Sequence, residues 1–99
     1  MSPPVSPAHL CVRLRIEGRV QGVGFRAFVI QEAAARGLHG WVRNRRDGGV
    51  EAVVAGPAAD VEDLCQRARV GPRGARVDML KVLEETGPTP QGFDVRPTV

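Results

Sequence analysis

An α+β fold, with two helices packed on one face of an antiparallel sheet, is predicted by three features of this 99-residue chain. Apolar residues switch back and forth between the alternation of half-buried strands and the wider spacing of amphipathic helices. Asp47-Gly48 joins two extended stretches closely enough for a hairpin. The elements then follow in the order strand, helix, strand, strand, helix, strand, which a single small domain satisfies as two layers.

Each element has its own signal. Leu10, Val12, Leu14 and Ile16 alternate with Cys11, Arg13, Arg15 and Glu17, the pattern of a first strand with one buried face. From Phe25 to Arg36, Phe28, Val29, Glu32 and Ala33 continue a mostly apolar helical stripe begun by Phe25, and Gly37 stops it. "HGWVRN" and "VEAVVAG" are the hairpin strands, with "RRDGG" as the turn between them. In "PAADVEDLCQRARVG", Val61, Leu64, Cys65 and Ala68 keep helical spacing. Early acids Asp60, Glu62 and Asp63, late bases Arg67 and Arg69, and a closing Gly71 complete a second helix with the charge order its dipole favours. "ARVDMLKVLEE" reads as a strand and "GFDVRP" as a short edge strand. The whole is the ferredoxin-like arrangement, a βαββαβ two-layer sandwich.

Length and composition, 42% hydrophobic and 25% charged, fit one domain over residues 9–99. Residues 1–8, with Pro3, Pro4 and Pro7, read as a disordered N-terminal tail. The net charge is +3, and the bases are arginines apart from Lys81, which suits oxyanions because a guanidinium fork binds oxygens in pairs. No secretory leader and no membrane-length apolar run is visible, so a cytoplasmic monomer with Cys11 and Cys65 as free thiols is expected.

Several chemistries are excluded by spacing. A cysteine-dependent phosphate loop needs Arg six positions after Cys, where Cys11 and Cys65 have Glu17 and Gly71. No Gly-Lys-Ser/Thr of a nucleotide-binding P-loop exists. His9 and His39 have no ligand-spaced partners, so neither a metal nor a cofactor is expected. Gly22, Gly24 and Ala27 satisfy a dinucleotide fingerprint with Asp47 at the right distance. Asp47, however, belongs to a hairpin turn, and the chain lacks the other half of such a fold.

What remains is the loop "GRVQGVGFR", residues 18–26, between the first strand and the first helix. Gly18, Gly22 and Gly24 allow backbone angles that turn several N–H groups into one concavity, an anion-holding geometry at a helix N-terminus.

Together with "GWVRNRRDGGVE", residues 40–51, this loop resembles the acylphosphatase family, and the resemblance covers nearly all of the chain after the tail. One signature is carried by Gly18, Val20, Gln21, Gly22, Val23, Gly24, Phe25 and Arg26. The other is carried by Gly40, Val42, Asn44, Asp47, Gly48, Val50 and Glu51. The resemblance implies metal-independent hydrolysis of acyl phosphates to a carboxylate and inorganic phosphate, the phosphate also acting as an inhibitor. It implies a phosphate held by the backbone of Gln21, Gly22, Val23, Gly24, Phe25 and Arg26 and by the Arg26 guanidinium, with Asn44 orienting the attacking water. The absence of a catalytic base agrees with a leaving carboxylate of conjugate-acid pKa about 4, which needs no protonation.

Two other classes compete with this one. A nucleic-acid module would stack bases on sheet aromatics, but there is no Tyr, one Trp, and two of the three Phe fall in the first helix, so no nucleic-acid partner is expected. A regulatory or accessory domain on the same fold is the third class. Trp41, Phe93 and Cys65 read as packing residues, and Arg43, Arg45 and Arg46 as a solvated charged hairpin in preference to a cluster that steers anionic substrate toward the site.

Overall fold

The computed structural model describes residues 8–99, so all of the expected tail except Ala8 lies outside the described residues. The elements are β1 (His9–Arg19), α1 (Phe25–Ala35), β2 (His39–Asn44), β3 (Val50–Pro57), α2 (Ala58–Val70), β4 (Arg76–Glu84) and β5 (Phe93–Val95). They form one sheet in the order β4-β1-β3-β2-β5. The first four of these strands pair antiparallel, as expected, whereas β5 joins the edge parallel to β2, with Gly40 opposite Phe93 and Val42 opposite Val95. The edge strand is therefore present, and it makes the sheet mixed.

Alternation decides which face each residue takes. Val12, Leu14 and Ile16 of β1 point inward with Val42 of β2 and Val50, Ala52 and Val54 of β3. Phe25, Val29 and Ala33 of α1 and Val61, Leu64, Cys65 and Ala68 of α2 cover them. Both helices thus lie on one face, and Cys65 is a buried packing residue, in keeping with its helical spacing. Glu32, the one acid on the α1 stripe, accepts from Arg36 at 2.7 Å and from Arg67 of α2 at 2.8 Å, so it ties the two helices together.

β1 extends beyond its apolar run because its ladder with β4 continues through a register shift at Glu17/Gly18. Gly18 sits in that bulge at φ 127°, and an added Cβ would overlap the Arg76 carbonyl. The first glycine of the loop signature therefore serves a close strand approach and is not part of the anion concavity.

The face away from the helices is charged but not simply solvated. Glu51 of the central strand β3 is 5% exposed. It accepts from Arg13 at 2.8 Å, from Arg43 at 2.7 Å and from Arg45 at 3.4 Å. Trp41 is buried on the same face with the guanidiniums of Arg13, Arg43 and Arg96 4.6–5.4 Å from its ring centroid. Two of the three hairpin arginines are thus anchored on Glu51, and Arg46 is exposed.

Burial pushes the Glu51 carboxyl up, but the hydrogen bonds from Arg43 and Arg13 outweigh it and hold the group below the ordinary glutamate range. A depressed folded value gives stabilisation that is full above the unfolded pKa of about 4.3 and is lost as pH falls through the folded value. Glu51→Gln should therefore cost about 1–2 kcal/mol at pH 7, since its partners are partly exposed. The gap from the parent should close as pH falls below about 4. Urea denaturation at pH 7 and pH 3 measures both; a gap that persists at pH 3 would contradict the ion-pair account.

Candidate active site

The chain leaves β1, turns through residues 20–24 and enters α1 without a side-chain cap. Gly24, at the N-cap, has φ 79° and ψ 23°, and Gly22 has φ 74°. Neither is crowded: a Cβ at either position would meet no heavy atom within 4 Å. Glycine is required here by backbone conformation, and the open space beside it is the concavity itself. Phe28 N–H donates to the Gly24 carbonyl at 3.0 Å as the first helical bond. The N–H groups of residues 22–27 have no protein acceptor among the described residues. Unpaired donors at a positive helix end, with no acidic residue in the first turn, are the chemistry that can hold an anion.

These donors open into a cleft of about 410 Å³ lined by Gln21, Gly22, Gly24, Phe25, Arg26 and, from the end of β2, Asn44. Arg26 lies in the first turn of α1, is exposed, and takes part in no ion pair among the described residues. Asn44 has the inward parity of Val42, which directs it to the helix side of the sheet and toward the loop. The two residues singled out from different signatures thus meet in one cleft. Val23 does not line it; its side chain packs against the core.

Gln21 does more than contribute backbone. Its Nε2 donates to the carbonyls of Arg45 at 2.7 Å and Gly49 at 2.8 Å, fastening the loop to the hairpin just past Asn44. The hairpin is itself closed by Arg45 N–H to the Gly49 carbonyl at 2.8 Å. Asp47 braces the turn, with Oδ1 accepting from Gly49 N–H and Oδ2 from Arg15, both at 2.9 Å. The Gly49 hydrogen bond, with Arg15 nearby, holds the Asp47 carboxyl below its usual range. Asp47 is a turn residue, which removes the dinucleotide reading.

Other candidate groups are occupied elsewhere. His39 Nδ1 accepts from Gly92 N–H at 2.8 Å. Burial pushes the thiols of Cys11 and Cys65 up, away from a reactive thiolate. Trp41 is covered by guanidiniums and offers no free face for stacking a base. Val20 and Ala27, next to residues the motifs single out, and Ile30 and Val95, which sequence patterning does not find, complete the cleft wall. No local signal marks Val95, because only the parallel β2–β5 pairing brings it there.

A family profile described as Acylphosphatase matches residues 12–95. An acylphosphatase of Rhizorhabdus wittichii is 48% identical over 99 residues, covering all of both chains. The crystal structure of acylphosphatase from Bacillus subtilis superposes with a TM-score of 0.83 at 38% identity, covering 88% of this chain and 98% of that one. The structure of an acylphosphatase from Coxiella burnetii gives a TM-score of 0.84 at 33% identity, covering 89% and 93%. With a profile match over most of its length and a relative of nearly half-identical sequence end to end, this chain belongs to the acylphosphatase family.

Proposed function

We propose that the protein is an acylphosphatase that hydrolyses the carboxyl–phosphate anhydride bond of small acyl phosphates. One observation carries this reading: the uncapped N-terminus of α1, an Arg26 that is unpaired among the described residues and the amide of Asn44 share a single cleft. The substrate phosphate sits among the N–H groups of residues 21–26, its charge balanced by Arg26 and the helix dipole. Asn44 accepts a hydrogen bond from a water and aims its oxygen at phosphorus, opposite the anhydride oxygen. The new P–O bond forms as the old one breaks, and the bonding electrons leave with the carboxylate. An amide is no base near neutral pH, so the water proton passes to a phosphate oxygen, giving a carboxylate and dihydrogen phosphate. Phosphoryl transfer of this kind calls for positioning and charge stabilisation more than for covalent help.

The reading includes a cytoplasmic monomer without a nucleic-acid partner, and two free cysteines and a covered Trp41 support it. Among the described residues, no helix is long and apolar enough to cross a membrane.

Hydrolysis of a synthetic acyl phosphate in the presence of a chelator tests the activity, and inorganic phosphate should inhibit it competitively. Arg26→Ala should raise the phosphate inhibition constant and lower the rate by about 10² to 10³, as loss of an oxyanion donor does. Asn44→Ala should lower kcat comparably while leaving phosphate inhibition near the parent value. An Asn44→Ala variant with parental kcat would remove Asn44 from water positioning. Gln21→Met keeps chain length but loses both donors to the hairpin, so kcat should fall by up to about 10² through misplacement of the loop against Asn44. Unchanged kcat in that folded variant would show the loop to be held by other contacts.

A further inference from the structure

The cleft lining is chemically mixed: beside the loop, Arg26 and Asn44 it holds apolar Ala27 and Ile30 of α1 and Val95 of β5. Val95 stands opposite Val42 in the parallel ladder, which puts it on the helix side of the sheet, while Asp94, opposite Trp41, belongs to the other face. Val95 is 52% exposed, an apolar side chain left uncovered at the rim of the cleft, and Ile30 beside it is half-buried. Among the described residues, Arg26 is the only ionisable side chain in the lining.

Resting on the phosphate site proposed above, we infer that Ala27, Ile30 and Val95 form an acyl subsite that selects acyl phosphates with an apolar tail over short or carboxylate-bearing ones. With phosphate among the loop N–H groups, the acyl carbon projects away from the loop, and this wall is the surface the cleft offers it. A methylene fully buried against such a wall gains about fourfold in binding, and a wall open on one side gives roughly half of that on a logarithmic scale. A terminal carboxylate would instead lose water against Ile30 and Val95 without gaining a partner. These contacts are as strong in the ground state as in the transition state, so the selectivity resides in KM.

The test uses acetyl, butanoyl, hexanoyl and succinyl phosphate; the first three release carboxylates of nearly equal basicity, so leaving-group chemistry stays constant while apolar length varies. Expected is a rise in kcat/KM of about tenfold from acetyl to hexanoyl phosphate, carried by KM, with succinyl phosphate below butanoyl phosphate. The near-isosteric Val95→Thr, and Ile30→Thr, should each flatten the series. A flat series in the parent protein, or a slope that both folded variants leave intact, would overturn the inference while the hydrolytic reading stands. Failure to turn over any of the four would overturn both.

Discussion

The amide of Gln21 reaches from the glycine loop to two carbonyls of the β2–β3 hairpin, and the geometry of the cleft depends on that reach. The loop leaves β1 and the hairpin leaves β2, strands that are not neighbours, since β3 lies between them. A loop that needs two left-handed glycines is intrinsically free to wander, and Asn44 sits at a strand end. Two neutral hydrogen bonds contribute only about 1 kcal/mol each to stability. Their larger effect is positional, because they fix where the loop stands against the end of β2 that carries Asn44.

The sheet separates two electrostatic tasks. On its outer face Glu51 gathers Arg13, Arg43 and Arg45, and Trp41 takes up the guanidinium faces around it. On its helix face the cleft presents a single guanidinium, Arg26. Among the described residues, an arginine-rich chain thus places one cation without an ion-pair partner in the cleft, while much of the hairpin charge holds strands together. Asn44, between Arg43 and Arg45 in sequence, points the opposite way from Arg43 because strand side chains alternate.

This division explains what is legible in the sequence. The two helices, the hairpin and the inward residues of β1 follow from periodicity and turn signals, which report burial and chain reversal directly. Arg26 and Asn44 come from signatures, and the fold brings both into one cleft. Gly18 groups with the loop glycines in sequence, yet its positive φ serves a bulge whose partner, Arg76, lies far along the chain. The two carbonyls that Gln21 binds and the ion cluster around Glu51 are likewise long-range pairings with no local trace. β5 is visible as a short extended stretch, but its parallel direction, and hence the arrival of Val95 at the cleft, is decided by where the chain crosses after β4.

The central claim is that water attacks phosphorus in a cradle of backbone donors, and not the acyl carbon. Hydrolysis of an acyl phosphate by the protein in ¹⁸O-labelled water, with mass analysis of both products, separates these routes directly. The label should appear in inorganic phosphate and be absent from the carboxylate. Label in the carboxylate would mean attack at the carbonyl carbon, and would contradict phosphate binding by the loop and Arg26 as the source of catalysis and water positioning by Asn44.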